Sequence, residues 1–148
     1  MRINFDSNSA EETIKIAEKI GRQLRGGEVI ELISDLGGGK TTFVNGLVSG
    51  AGSNSNVSSP TFSISNIYSC KNFDIAHFDL YRLTKAGLIK YEIGEMASDS
   101  KVVLIMEWPD IVEHILPGKR AKINFIIRGE QARTIVINLP NSYMYLAQ

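Results

Sequence analysis

Among its 148 residues the chain has a single cysteine, Cys70, so no intramolecular disulfide can form and a reducing compartment suits it. It also has no excess of either charge, since 16 Lys and Arg balance 16 Asp and Glu. That balance removes the long-range field by which a protein gathers nucleic acid or adheres to a membrane, leaving only local patches. No apolar run approaches the ~20 residues that a spanning helix needs, and Met1-Arg2-Ile3-Asn4-Phe5-Asp6 carries no signal-like apolar core. A cytoplasmic protein without membrane partners is expected. The guanine-reading pattern Asn-Lys-x-Asp occurs nowhere, which disfavours a GTPase. There is no internal repeat, linker or low-complexity tract, so residues 1–148 are expected to form one domain. What is present is globular: 43% of the residues are hydrophobic and 22% charged.

The rest of the chain is organised around Ser34-Asp35-Leu36-Gly37-Gly38-Gly39-Lys40-Thr41-Thr42. Glycines without Cβ atoms let successive N–H groups curl around an anion. A following lysine adds a point charge at the β- and γ-phosphates, and a Thr hydroxyl can ligate Mg²⁺. The β-branched run at 28–33 predicts a strand before the loop, and Phe43, Val44, Leu47 and Val48 predict a helix after it. Strand, glycine loop and helix is the setting a phosphate site needs, because the helix N-terminus supplies more N–H groups and a positive dipole end. Gly37, Gly38, Gly39, Lys40, Thr41 and Thr42 are therefore the candidate nucleotide-binding residues, with Lys40 read as an exposed loop lysine. The usual first glycine of the pattern is Ser34 here, tolerable if its backbone angles suit a small non-glycine residue.

Around this unit the pattern predicts an α/β fold with a mixed central sheet. Residues 2–5 suit a strand, and Ser9-Ala10-Glu11-Glu12 suits a capping box before a helix facing inward through Ile14, Ala17, Ile20 and Leu24. An antiparallel hairpin is expected next, with its first strand beginning near Pro60 and running to Ser69, a turn at Lys71-Asn72, and a second strand at 73–79. In that second strand Phe73, Ile75, His77 and Asp79 share a face. Residues 83–100 allow one short helix. The apolar run at 101–106 reads as a central parallel strand, and 110–114 as a short helix with an exposed His114. Residues 123–128 and 133–139 predict a C-terminal hairpin.

Glu107 follows the apolar strand, where in phosphate-loop folds an acid faces the metal site. Asp79 ends a hairpin strand, and either a water-orienting acid or a surface acid fits that place. His77 alone reads more simply as a hydrogen-bonded strand residue. Thr61, 21 residues after Lys40, suits either a switch threonine or the start of an edge strand. Lys119, Arg120 and Lys122 read as a solvated basic edge. Trp108 is expected to be partly core and to report on Glu107.

These motifs together resemble the bacterial tRNA threonylcarbamoyladenosine biosynthesis ATPase family, TsaE or YjeE. The carriers are Asp35-Leu36-Gly37-Gly38-Gly39-Lys40-Thr41-Thr42, Ser59-Pro60-Thr61-Phe62, His77-Phe78-Asp79-Leu80-Tyr81-Arg82 and Glu107-Trp108-Pro109. The resemblance implies a single P-loop ATPase domain that uses ATP and Mg²⁺. Its partners would be the TsaD-type and TsaB-type subunits that modify adenosine 37 of tRNA, with tRNA itself reached through the complex. Carried over by position, Lys40 and Thr41 meet phosphate and Mg²⁺. Asp79 and Glu107 become the catalytic and metal-coordinating acids, and Thr61, His77 and Trp108 a switch or sensor set. A small-molecule kinase and a non-enzymatic nucleotide switch are the competing readings. Phosphate release without an acceptor separates the hydrolase from the kinase, and turnover in the assembled complex separates it from the switch.

Overall fold

The β-branched run before the glycine loop and the apolar run ending at Glu107 form neighbouring parallel strands, and the remaining elements are built out from this pair. The computed structural model describes residues 1–58, 60 and 64–148. Among the described residues the strands are β1 (Arg2–Ser7), β2 (Val29–Ile33), β3 (Ser65–Ser69), β4 (Asp74–Asp79), β5 (Val102–Glu107), β6 (Ala121–Ile127) and β7 (Arg133–Asn138). They form one sheet in the order β1-β7-β6-β2-β5-β4-β3. β2 is parallel to both β5 and β6, and β4 is parallel to β5. The β3–β4 and β6–β7 pairs are the two predicted antiparallel hairpins, and β1 extends the sheet antiparallel to β7.

Helices cover both faces, which explains why β5 is apolar at successive positions rather than alternating. On one face α1 (Ala10–Gly21) and α2 (Lys40–Gly50) pack over Ile30, Leu32, Ile105 and Ile123. On the other, α3 (Ile89–Ala97) and a 3₁₀ turn at Pro109–Ile115 cover Val29, Ala76, Phe78, Leu104 and Met106. The Ser9 hydroxyl accepts the Glu12 N–H at 3.1 Å, the forward half of the predicted capping box, while a Glu12 carboxylate oxygen accepts the N–H of Asn8, one residue before the cap, at 2.7 Å. No helix among the described residues is long and apolar enough to cross a membrane.

Two expectations change. The strand predicted from Pro60 begins only at Ser65. Residues 53–58 instead fold back across β3, where the Ser58 carbonyl accepts hydrogen bonds from the Asn66 amide at 3.1 Å and the Tyr68 hydroxyl at 3.3 Å. Thr61, the predicted switch threonine, lies outside the described residues. The basic edge is also not uniformly solvated. Arg120 is only 6% exposed, with Nε donating to Glu31 at 2.9 Å and Nη2 to Glu113 at 2.6 Å. A guanidinium fork can satisfy two carboxylates in a way a lysine cannot, so Arg120 turns inward while Lys119 and Lys122 stay in solvent. Its hydrogen bonds hold the Glu113 carboxyl below the usual 4.5.

Candidate functional site

Two helix N-termini in this fold are finished differently. That of α1 is closed by the Ser9 hydroxyl and has Glu11 and Glu12 in its first turn. That of α2 is opened by Gly39, which has no side chain to cap it, and its first turn carries no acid. Its N–H groups and positive dipole end are therefore left for an anion.

The loop before α2 adds to this. Gly37 and Gly39 have φ of 77° and 97°, a region that costs L-residues energy, while Gly38 between them has ordinary negative φ. Alternation of this kind shapes a concavity for an anion, although the Gly38 N–H is itself taken by the Asp35 carbonyl at 3.2 Å. Gly38 is needed for a different reason: a Cβ there would sit 2.2 Å from Ser34 Oγ and 2.6 Å from Ser34 Cβ. Ser34 itself is not in the left-handed region, so a serine replaces the usual glycine without backbone strain. Gly38→Ala is expected to lower the melting temperature, overpacking costing about 1–3 kcal/mol, and Ser34→Gly in the same chain should recover most of it. A double variant that melts as low as Gly38→Ala would show that the clash lies elsewhere.

Lys40 begins α2 and is 8% exposed, so it is a buried cation rather than the exposed loop lysine its setting suggested. Its ammonium lies 3.2 Å from Glu107 Oε1 and donates to the Ser34 carbonyl at 3.4 Å. The other Glu107 oxygen, Oε2, is 2.5 Å from His77 Nε2, and His77 is fully buried. Burial works to raise the Glu107 pKa. The His77 hydrogen bond, with electrostatic attraction from the His77 ring and from Lys40, outweighs it and holds the carboxyl below its usual 4.5. Thus His77 is the hydrogen-bonded strand residue expected from its place, and it bonds to the predicted acid.

Asp79 and Glu107 are paired residues at the carboxyl ends of β4 and β5. The Asp79 carboxylate accepts the Tyr81 N–H at 3.0 Å. A cleft of about 310 Å³ is lined by residues 36–42 with Asp79, Glu107 and Trp108, so it joins the loop to both acids. Trp108 is exposed, at 36%, and turns the chain sharply out of β5 with φ 54° and ψ 57°, a strain of about 1–2 kcal/mol for a non-glycine residue. This places its ring 5.3 Å from the Lys40 ammonium and 5.0 Å from the Tyr81 ring. Trp108 therefore belongs to the cleft wall more than to the core.

The oxygen donors here, Thr41, Asp79 and Glu107, suit a hard divalent cation. Among the described residues no cluster of three or more His, Cys, Asp or Glu forms a protein cage for a metal. Such a sparse donor set fits Mg²⁺, which keeps waters and substrate phosphates as ligands, better than it fits an all-protein site. One residue with a clear place in the site was missed as such: Arg133, whose guanidinium contacts the loop from β7.

Comparison with known proteins places the chain in a family. A family model described as "Threonylcarbamoyl adenosine biosynthesis protein TsaE" matches residues 7–135. The tRNA threonylcarbamoyladenosine biosynthesis protein TsaE of Rickettsia felis is 37% identical, over 91% of this chain and 80% of its own length. The protein of the same name from Bacillus subtilis is 34% identical, over 99% of this chain and 92% of its own. The crystal structure of Bacillus subtilis YdiB superposes with a TM-score of 0.76 at 28% identity, covering 99% of this chain and 92% of that one. On the family model and on relatives this similar over most of their length, the chain belongs to the threonylcarbamoyl adenosine biosynthesis protein TsaE family.

Proposed function

We propose that this chain is a Mg²⁺-dependent ATP hydrolase serving threonylcarbamoylation of adenosine 37 in tRNA, together with TsaD-type and TsaB-type subunits. The observation that carries the hydrolase reading is the cleft itself. An uncapped helix N-terminus, a glycine concavity and a buried lysine face two carboxylates at adjacent strand ends. The names of the relatives support the tRNA pathway.

In this reading the amides of Gly37 and Gly39 and of the first turn of α2 bind the phosphate chain, with Gly38 shaping the loop and Thr41 and Thr42 adding hydroxyls. Lys40 leaves Glu107 Oε1 for the β- and γ-phosphates. Glu107 stays fixed through Oε2 by His77, so Oε1 is free to hold Mg²⁺ with Thr41. The metal, when bound, neutralises charge developing on the transferred phosphoryl group. Asp79, one strand over, orients the attacking water, and Trp108 closes the wall beside Lys40.

Among the described residues no arginine lines the cleft. Arg133 is engaged with loop carbonyls, and Arg82 is exposed. An arginine supplied in trans is worth about 10³–10⁵ in rate for such chemistry, so hydrolysis by the chain alone should be slow. The test is phosphate release from ATP and Mg²⁺ without any acceptor, for the isolated chain and for the chain with both partner subunits. Release should rise at least about tenfold on assembly. Phosphate appearing only when a small-molecule acceptor is added would make the chain a kinase, and equal rates alone and assembled would remove partner stimulation.

A further inference from the structure

Arg133 is the first residue of β7, and all three of its guanidinium nitrogens donate to main-chain carbonyls. Nε donates to the Gly38 carbonyl at 3.1 Å and Nη2 to the Gly37 carbonyl at 3.1 Å. Nη1 donates to the Gly129 and Ala132 carbonyls of the β6–β7 turn, each at 2.9 Å. One side chain thus fastens the glycine loop to the C-terminal hairpin. It does so from outside the cleft, whose lining includes Gly37, Gly38 and Gly39 but not Arg133.

The peptide group gives this contact a direction. In a trans peptide the carbonyl of one residue and the N–H of the next point opposite ways. Holding the Gly38 carbonyl on the outer side turns the Gly39 N–H inward, and holding the Gly37 carbonyl fixes the peptide before it. That preceding N–H, of Gly38, is already engaged with the Asp35 carbonyl at 3.2 Å. Three consecutive glycines would otherwise sample many conformations, and each residue that must be ordered on ligand binding weakens affinity.

We infer that Arg133 is a positioning residue for the phosphate site, orienting the Gly39 amide by gripping the carbonyl behind it and fixing the peptide before that one. It never touches the nucleotide itself. The planar fork matters more than the charge: it spans two successive loop carbonyls while its third nitrogen stays on the hairpin turn. A lysine ammonium on a flexible stem has no such fixed spacing. The inference rests on reading the loop as a phosphate site.

Calorimetric titration with ATP and with ADP on wild type, Arg133→Gln, Arg133→Lys and Lys40→Ala, alongside thermal melts, tests it. Arg133→Gln should bind both nucleotides about tenfold to a hundredfold more weakly, as for other sites that lose their alignment, with melting within a few degrees of wild type. Arg133→Lys should lose nearly as much, because charge alone does not restore the fork. Wild-type affinity in Arg133→Gln overturns the inference, and so does full rescue by Arg133→Lys, which would make the effect one of charge. Should Arg133→Gln fail to fold, Arg133→Lys decides alone. A wild-type protein that binds ATP no better than Lys40→Ala would instead take down the phosphate-site reading, and this inference with it.

Discussion

Replacing Lys40 by alanine is expected to abolish ATP binding in calorimetry, with affinity down by about a hundredfold or more. Charge-assisted hydrogen bonds are worth roughly 1.5–3 kcal/mol each, and the lysine would make them to two phosphates. The free protein also changes. The Lys40 ammonium lies 3.2 Å from Glu107 in a place only 8% exposed, so the variant strands a buried carboxylate on His77 alone. Glu107 titrates below its usual 4.5 in the folded chain, so its contribution to stability is present above about pH 4.5 and lost as the pH falls through the folded value. Lys40→Ala removes part of that lowering. The melting difference between variant and wild type should accordingly be largest near neutral pH and shrink below about pH 4.5. Wild-type ATP affinity in the variant would sink the phosphate-loop assignment, and a pH-independent melting difference would sink the account of the ion pair.

The parts of the fold read correctly from the sequence are those that depend on local chemistry. Strand, glycine loop and helix follow from a β-branched run, three glycines and a helical repeat within about twenty residues. The family resemblance, carried by short motifs in order, was equally legible, and the family model and relatives agree with it. What was not legible depends on register between distant strands. Arg133 meets Gly38 across 95 residues of sequence, and Arg120 meets Glu31 across 89. Nothing in the local sequence of β7 distinguishes an arginine that grips a loop from one that merely guards a strand edge.

His77 shows the same limit in miniature. The period of two set it on a face with Asp79, which fits the strand. Its hydrogen-bond partner, however, is Glu107 on the next strand, 30 residues away, because β4 and β5 are parallel and Asp79 is in register with Glu107. The buried ring therefore supports one predicted acid while sharing a strand with the other. Exposure was misjudged at Lys40 for a related reason: loop lysines are mostly solvated, but this one opens a helix under Trp108 and beside a buried carboxylate.

Glu107→Gln is expected to separate binding from hydrolysis. The amide keeps the size and shape of the carboxylate but withdraws its negative charge from a position 3.2 Å from Lys40 and 2.5 Å from His77. Lys40, freed of its counter-charge, remains available to phosphate, and the loop amides are untouched. ATP should therefore stay bound, and binding without Mg²⁺ should be no weaker than in wild type. Phosphate release should fall by about 10²–10³-fold, the usual loss when one preorganised charged or polar group of a transition-state site is removed. Trp108 is the single tryptophan, and its ring stands 5.3 Å from the Lys40 ammonium, so nucleotide should change its fluorescence in both proteins. The Mg²⁺ dependence of that change should be strong in wild type and weak in the variant. Unchanged turnover with an identical Mg²⁺ dependence would make Glu107 only a partner for Lys40 and His77. Metal and water would then fall to Asp79, its neighbour in register on β4.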